Sequence, residues 1–270
     1  MPVVLITGCS RGIGRASALA LAARGWTVVG TLRGEEGREA LLRGGVEVVN
    51  LDVTDREATE AVVEALVARH GGLDAVVANA GRGLSGCFED LDPAQVSAIF
   101  DLNLFGAMHT VRAALPSIRA RRGRVVLLSS VAGCRAAPGS GAYNASKFAL
   151  EGWGEALRFE LLPFGVQVVL VQPGATESGF ADARQVGSRV GSGPYAAISA
   201  RLRVLLEENA RDRAPVDVVV AAVVRALEAP RPPFRMPTGR GTRAQILARR
   251  LLPWPIYQAV VRRKLALPEP

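Results

Sequence analysis

The 270-residue chain is rich in aliphatic side chains and carries a net charge of +8. Hydrophobic residues make up 49% of it, which excludes a disordered chain and favours a parallel sheet covered by helices. Its three cysteines, Cys9, Cys87 and Cys134, form no motif, which argues against a disulfide framework or a zinc site. Its apolar runs are too short for a signal peptide or a membrane span. We therefore expect a soluble, cytoplasmic protein.

Short aliphatic runs alternate with longer amphipathic stretches along the chain. The predicted elements are, in chain order, strand 3–7, helix 13–24, strand 27–32, helix 35–43, strand 46–50, helix 55–69 with Thr54 as its N-cap, strand 73–78, helix 93–119, strand 124–129, helix 141–162, strand 166–172, helices near 195–210 and 215–228, strand 234–237, and one or two helices from 241. This alternation predicts a doubly wound parallel α/β sheet, a Rossmann fold of about seven strands with helices on both faces.

We expect a single domain over residues 1–270, with a substrate loop at 173–215 and a basic helical tail at 240–267. The excess of positive over negative charge lies at the end of the chain. Residues 1–229 carry 24 basic and 24 acidic side chains, whereas 230–270 carry nine basic ones and one acid, Glu269. A basic tail attracts phosphates, anionic membranes or nucleic acid, and a solvated amphipathic helix explains it equally. No nucleic-acid partner is expected, and peripheral membrane contact through 240–267 stays open.

A glycine-rich turn joins the first predicted strand to the first predicted helix. It consists of Gly8, Cys9, Ser10, Arg11, Gly12, Ile13 and Gly14. Glycines permit a sharp turn and a close backbone approach to a pyrophosphate, and the helix N-terminus that follows presents free N–H groups to phosphate oxygens. The pattern indicates a dinucleotide site, with a plain tight turn as the alternative.

The end of the second strand indicates which dinucleotide binds. Sites for NAD place an acidic residue there to bind the ribose 2′-hydroxyl, but this strand ends at Leu32-Arg33-Gly34. A guanidinium at Arg33 matches a 2′-phosphate, and Arg11 offers a second positive charge. We therefore predict NADP(H) over NAD(H), against the alternative that Arg33 is a solvated surface residue.

Tyr143 and Lys147 stand four residues apart on a predicted helix, in a chain that has three tyrosines and two lysines against 31 arginines. A lysine can shift its pKa and move protons, whereas a guanidinium cannot. We expect Lys147 and an oxidised nicotinamide to lower the pKa of Tyr143 to about 7, which requires roughly 4 kcal/mol.

Two further polar residues are candidates for the same site. Ser130 ends the fifth strand, where doubly wound sheets place their sites, and its hydroxyl is suited to hold a substrate oxygen, with Ser129 as the competing choice. Asn103 lies in an apolar stretch of the long middle helix and needs a polar partner. A purely structural hydrogen bond is the alternative for Asn103.

Together these residues resemble the short-chain dehydrogenase/reductase family. The matching pieces are Thr7-Gly8-x-x-x-Gly12-x-Gly14, Asn79-Ala80-Gly81, Asn103, Ser130, Tyr143-x-x-x-Lys147 and Pro173-Gly174, over about residues 3–180. Segments around Tyr143 and Arg33 look closest to the 17β-hydroxysteroid and retinol dehydrogenase branch.

The resemblance implies roles for the remaining residues. Asp52 and Val53 would contact the adenine, and Asn79 would stabilise the sheet and the cofactor pocket. Pro173 and Gly174 would border the nicotinamide, and Ser178, which stands where the family often has threonine, would bind its carboxamide. Lys147 would also bind the nicotinamide ribose, and Asn103 would hold a water. The family implies a homodimer or homotetramer, here packed through helices 93–119 and 141–162.

The sequence therefore predicts an enzyme that interconverts an alcohol and a carbonyl by hydride transfer, with Tyr143 as the general acid or base. The substrate loop has few polar residues, which favours an apolar small-molecule substrate. Three alternatives stay open: a catalytically silent NADP(H)-binding regulator, a cofactor-free lyase or dehalogenase, and a membrane-associated lipid or retinoid dehydrogenase that uses the basic tail. The intact glycine turn argues against the cofactor-free enzymes.

Overall fold

A computed structural model of the chain, which describes residues 1–181, 183–210 and 213–265, contains the predicted sheet. Its seven parallel strands are β1 Val3–Ile6, β2 Thr27–Leu32, β3 Glu47–Asn50, β4 Ala75–Ala78, β5 Arg124–Leu128, β6 Gln167–Pro173 and β7 Arg235–Thr238. They are ordered β3-β2-β1-β4-β5-β6-β7. The winding reverses between β1 and β4, where doubly wound sheets bind their ligands. The predicted doubly wound fold is confirmed.

Helices cover both faces of this sheet and continue beyond its edge. They are α1 Gly12–Ala22, α2 Arg38–Arg43, α3 Arg56–His70, α4 Pro93–Phe100, α5 Gly106–Ala120, α6 Gly141–Leu161, α7 Ala196–Ala210, α8 Val216–Glu228, α9 Thr242–Leu251 and α10 Trp254–Leu265. Leu21 of α1 and Val223 of α8 pack into one core, and Leu66 of α3, Ile118 of α5 and Leu157 of α6 pack into a second core on the opposite face. The alternating strand side chains therefore fill two separate apolar layers.

Two local predictions differ from the structure. Asp55, not Thr54, caps α3, because its carboxylate accepts a hydrogen bond of 2.9 Å from the Ala58 N–H. The hydroxyl of Thr54 instead donates to Asp52 at 2.8 Å. The predicted helix 93–119 is interrupted by a π-helical turn at Asp101–Phe105, which separates α4 from α5.

The predicted substrate loop 173–215 holds two short strand pairs that the sequence did not indicate. Leu84–Ser85 pairs with Gln185–Val186, and Thr176–Glu177 pairs with Ala214–Pro215. Residues 182, 211 and 212 of this loop, and 266 and 267 of the predicted tail, lie outside the described residues. The two pairs fix the backbone on either side of the space above the strand ends.

Strand β7 forms one edge of the sheet and pairs with β6. The carbonyls of Phe234 and Thr238 accept hydrogen bonds from Leu170 N–H at 2.7 Å and Gly174 N–H at 2.9 Å, so the peptide groups of Arg235 and Pro237 point away from the sheet. Beyond β7, α9 and α10 form the predicted helical tail. No helix in the described part of the chain has the length and apolar content needed to cross a membrane.

Candidate active site

A cleft of about 930 Å³ opens at the carboxyl ends of the strands. Its lining includes nearly all the residues predicted from the sequence: Gly8, Ser10, Arg11, Gly12, Ile13, Gly14, Arg33, Val53, Asn79, Ala80, Gly81, Ser130, Tyr143, Lys147, Pro173, Gly174 and Ser178. Asp52 and Asn103 lie outside this lining. Asp52 lines a smaller neighbouring groove, and Asn103 is buried behind the cleft.

The glycine turn is built so that side chains do not fit. A Cβ at Gly14 would overlap the Gly8 carbonyl oxygen and the Asn79 amide, and a Cβ at Gly12 would overlap the Ser178 carbonyl oxygen. Gly12 also has a φ of +57°, in the left-handed region that favours glycine. The turn therefore lies against the end of β4 and against the segment that follows β6, and its glycines form a backbone cradle at the edge of the cleft.

The N-terminus of α1 borders this cradle and has no side-chain cap among the described residues. Arg11, at the N-cap position, makes no side-chain capping hydrogen bond, and the first turn of the helix has no acidic residue. Free N–H groups and the positive end of the helix dipole are therefore directed to the cleft, which fits the pyrophosphate of a dinucleotide.

Arg33 lies where β2 ends and lines both the cleft and the smaller groove. Its guanidinium lies 3.7 Å from the Asp52 carboxylate, and its side chain is 61% exposed. Partial burial alone would raise the pKa of Asp52. Hydrogen bonds from Thr54 and the charge of Arg33 together have a larger effect in the opposite direction, so the pKa lies below its usual value. Glu35 also lines the cleft, but Arg38 pairs with it at 2.6 Å.

Asn79 ties β4 to the glycine turn. Its amide donates to the carbonyls of Thr7 at 2.8 Å and Gly8 at 3.0 Å. The Thr7 hydroxyl in turn accepts hydrogen bonds from the N–H groups of Asn79 and Ala80 at 3.0 and 3.1 Å. These bonds hold the ends of β1 and β4 together at the point where the winding reverses.

Tyr143 projects from the first turn of α6 into the cleft. Its ring is buried and lies 5.8 Å from the Phe180 ring, centroid to centroid. Burial raises the pKa of the phenol, and a hydrogen bond with the Ser130 hydroxyl and the charge of Arg184 partly offset that rise. Among the protein's own groups, the apolar surroundings therefore outweigh the nearby positive charge. The expected pKa of about 7 depends also on the charge of an oxidised nicotinamide, so it stays a prediction.

Lys147 lies one helical turn beyond Tyr143 and is buried. Its ammonium donates to the Leu128 carbonyl at 2.8 Å, at the end of β5. Burial lowers the pKa of Lys147 to about 8, although the charge of Glu151 acts in the opposite direction. A lysine in this state exchanges its proton near neutral pH.

Ser130 and Ser129 differ in their surroundings. The Ser130 hydroxyl accepts from the Ala132 N–H at 3.1 Å, donates to the Pro173 carbonyl at 3.3 Å, and hydrogen-bonds with Tyr143. The Ser129 hydroxyl also borders the cleft, but it is buried and has no hydrogen-bond partner among the described residues. Of the two serines, Ser130 is therefore the one that acts on the phenol, where it lowers the pKa of Tyr143.

Asn103 is held entirely by the protein. Its oxygen accepts from the Arg82 N–H at 2.9 Å, and its amide donates to the Arg82 carbonyl at 3.0 Å and to the Ser146 hydroxyl at 3.1 Å. The residue lies in the π-helical turn. Its side chain thus connects α6 to the segment after β4, and its role in holding a water stays a prediction.

Several residues that support the site were not predicted. Asn144 bonds to the backbone of Ala132, Arg135 and Ala137, and so shapes the loop that follows Ser130. Buried Glu151 accepts hydrogen bonds from Gln172 at 2.9 Å and from Arg235 at 2.9 Å. The position of Glu151, one turn beyond Lys147, was the available sequence signal.

The family model for short chain dehydrogenase matches residues 2–187. The chain belongs to this family and is a nicotinamide-dependent oxidoreductase that acts on alcohol and carbonyl groups. It is 35% identical to a 3-ketodihydrosphingosine reductase of Bacteroides thetaiotaomicron over 239 residues, which cover 88% of this chain and 87% of the relative. It is also 35% identical to human retinol dehydrogenase 8 over 256 residues, which cover 87% and 80% of the two chains.

Solved structures give the same family. A short-chain dehydrogenase from Streptomyces avermitilis is 33% identical and superposes with a TM-score of 0.84. The match covers 98% of this chain and 94% of the Streptomyces chain. An alcohol dehydrogenase from Thermococcus sibiricus, complexed with 5-hydroxy-NADP, is 27% identical with a TM-score of 0.72 over 89% and 97% of the chains. A short-chain dehydrogenase/reductase from Burkholderia phymatum, in complex with NAD, is 26% identical with a TM-score of 0.75. The match covers 97% of this chain and 92% of the Burkholderia chain.

Proposed function

We propose that the protein is an NADP(H)-dependent oxidoreductase that interconverts a primary or secondary alcohol and a carbonyl, with Tyr143 as the proton-transfer residue. The observation that carries this proposal is the buried Tyr143 phenol, which hydrogen-bonds with Ser130 and faces the cleft that the glycine turn borders. A nicotinamide held by the glycine turn and Lys147 would supply or accept the hydride.

Each polar residue around Tyr143 has a distinct task in this proposal. Ser130, fixed by the Ala132 N–H and the Pro173 carbonyl, orients the substrate oxygen toward the phenol. Lys147, buried and anchored to Leu128, binds the ribose and relays the proton. General acid–base assistance of this kind is worth about 10²–10⁴ in rate.

The protein's own groups favour carbonyl reduction. Burial raises the pKa of Tyr143, so its phenol is protonated at neutral pH. A protonated phenol donates to a carbonyl oxygen, whereas alcohol oxidation needs it as a base. We therefore expect reduction to be faster near neutral pH and oxidation to gain as pH rises.

The preference for NADP(H) rests on charge at the end of β2. Arg33 faces the cleft, and the nearby Glu35 is neutralised by Arg38. The ion pair of Arg33 with Asp52 is solvent-exposed and so costs little to exchange for a phosphate. We assign Ser178, whose carbonyl lies against Gly12, to the nicotinamide carboxamide.

A panel of neutral ketones and aldehydes, with NADPH or NADH consumption as the readout, tests the proposal. We expect turnover with several members of the panel and higher kcat/KM for NADPH than for NADH. Binding of NADPH without turnover on any carbonyl would favour the silent regulator, and no cofactor binding would contradict the proposal altogether.

We also propose a homodimer or homotetramer built through α5 and α6. Aromatic side chains on or beside these helices are exposed, with Phe105 45%, Phe148 44% and Phe159 67% accessible. Such a set favours burial against a second copy, and twofold symmetry is the commonest arrangement. Light scattering that finds a monomer at micromolar concentration would contradict this assembly.

The basic tail favours peripheral contact with an anionic membrane. Leu247, Leu251, Trp254, Ile256 and Val260 of α9 and α10 are exposed beside a series of arginines, and the Arg249 guanidinium lies 5.3 Å from the Trp254 ring centre. Apolar side chains among cations suit the headgroup region of a bilayer. Sedimentation with anionic vesicles, but not with neutral ones, is the expected result for the full chain, and Trp254→Ala should weaken it.

A further inference from the structure

Two arginines line the cleft on the side beyond Tyr143. Arg184 comes immediately before Gln185, whose N–H donates to the Gly83 carbonyl at 3.0 Å. Arg213 comes immediately before Ala214, whose N–H donates to the Ala175 carbonyl at 2.9 Å. Each arginine is therefore held at the start of one of the two short strand pairs, so its position is set by backbone pairing.

Arg184 is held close to the phenol by its packing. Its guanidinium donates to the Ser85 hydroxyl at 3.2 Å. Its side chain passes over Gly83, where an added Cβ would lie 3.1 Å from the Arg184 Nε and 3.3 Å from the Phe180 ring. Phe180 in turn packs on Tyr143. The absence of a side chain at Gly83 lets both residues lie next to the reacting position.

The two guanidinium groups also act on each other. Burial and the charge of Arg213 favour the uncharged form of Arg184 and lower its pKa, and a negative charge on Tyr143 acts in the opposite direction. Both arginines are half-buried. A pair of like charges in a partly buried cleft is unfavourable unless an anion joins them.

Neither arginine forms an ion pair with a carboxylate within the described ranges, although other arginines of the chain do. Arg235 pairs with Glu151 and Glu155, and Arg33 pairs with Asp52. Arginine binds carboxylate and phosphate through paired N–H donors, so two of them without a counter-charge at the edge of a reaction cleft suit an anionic ligand.

We propose that Arg184 and Arg213 bind an anionic group of the substrate, a carboxylate or a phosphate, a few bonds from the carbon that reacts at Tyr143. The proposal rests on the proposed oxidoreductase function and narrows its substrate. The expectation of an apolar substrate then applies to the rest of the molecule, which would lie against Phe180 and the alanines of the cleft wall.

Matched substrate pairs test the proposal in the full-length protein with NADPH. We would compare 3-oxooctanoate with its methyl ester, and dihydroxyacetone phosphate with dihydroxyacetone, so that the two pairs separate carboxylate from phosphate recognition. Wild type should prefer the anionic member of at least one pair by roughly 10- to 100-fold in kcat/KM, the range of one or two charge-assisted hydrogen bonds.

Arg184→Gln and Arg213→Gln should each remove most of that preference, because kcat/KM should fall much more for the anionic member of the pair than for the neutral one. Arg203→Gln is the matched control, because Arg203 is exposed on α7 and is not among the residues that line the cleft. Thermal melting of each variant verifies folding. An Arg184→Gln effect on the KM for NADPH alone would assign the arginine to the cofactor and overturn the proposal.

Binding of an unreactive anion separates this proposal from the redox function. Hexanoate and hexanamide would be titrated into the protein with NADPH, with cofactor fluorescence as the readout. Tighter hexanoate binding that Arg184→Gln abolishes supports the anion site even if no carbonyl is turned over. Equal turnover within both substrate pairs, together with equal binding of hexanoate and hexanamide, would overturn the anion site and leave the oxidoreductase proposal intact.

Discussion

The cleft has two walls of different construction. On the nucleotide side, the glycine turn meets its neighbours backbone to backbone, so that a single added carbon at Gly14 has no space. On the substrate side, long side chains such as Arg184 stand next to strand pairs of only two residues and can shift when a neighbour changes. The difference indicates that cofactor binding is set by rigid backbone geometry and substrate choice by adjustable side chains.

Replacement of Tyr143 by phenylalanine should have the largest effect, because the phenol acts where the nucleotide wall and the substrate wall meet. The change keeps the ring that packs on Phe180 and deletes only the oxygen. We expect turnover to fall roughly 10²–10⁴-fold, with NADPH affinity preserved. Steady-state kinetics and cofactor titration measure both, and near-normal turnover would exclude Tyr143 as the proton donor.

Gly14→Ala tests the rigidity of the nucleotide wall. Because the methyl group would overlap the Gly8 carbonyl and the Asn79 amide, we expect a loss of about 1–3 kcal/mol in unfolding free energy and weakened NADPH binding. Gly152→Ala on α6, where a Cβ meets nothing within 4 Å, is the control and should stabilise the helix by up to about 1 kcal/mol. Urea unfolding compares them, and equal stabilities would contradict the rigid-wall interpretation.

Lys147 links stability to pH. Burial lowers its pKa to about 8 from 10.5, so between these values the unfolded chain binds more protons than the folded one. Stability should therefore rise with pH in this window, by roughly 1.5 kcal/mol between about pH 8 and 9.5. Lys147→Met should remove this rise in urea unfolding, and parallel pH profiles for the two proteins would show that the lysine is not desolvated.

Arg33→Ala tests cofactor choice at the far end of the nucleotide wall. Loss of a charge-assisted contact should raise the KM for NADPH about tenfold and leave the KM for NADH nearly unchanged. Arg203→Ala, on exposed α7, is the control. If the KM values for NADPH and NADH rise by the same factor, Arg33 does not bind the 2′-phosphate.

Gly83→Ala should have the smallest effect, because the added carbon meets side chains at 3.1–3.3 Å that can move. We expect a stability change below about 1 kcal/mol, an unchanged KM for NADPH, and an altered KM for substrate as Arg184 shifts. A loss of stability as large as that from Gly14→Ala would remove the distinction between the walls.

The parts of the molecule that the sequence predicted are those with a local signal. Aliphatic runs mark the first six of the seven strands, and the glycine turn and Tyr143 with Lys147 are short patterns whose spacing has a direct geometric meaning. The cap of α3 was misassigned because Thr54 and Asp55 are both good capping residues, and only the backbone decides between them.

The substrate side was not predictable in the same way. Strand pairs of two residues are too short to show a period, and Arg184 and Arg213 do not stand out among 31 arginines. Their significance depends on contacts about a hundred residues apart in sequence, such as that between Arg184 and Ser85. The partners of Asn103, Arg82 and Ser146, lie 21 and 43 residues away in sequence, so they too could not be predicted from local patterns.

The edge strand β7 protects the sheet against extension by another chain. Only the peptide groups of Arg235 and Pro237 face outward from this strand, and proline has no N–H to donate. An incoming strand would find one donor where a regular ladder offers two, beside a charged side chain that Glu151 and Glu155 already hold. This edge therefore resists β-augmentation and the fibrous aggregation that follows from it, although its strand is short and the last of the sheet to be synthesised.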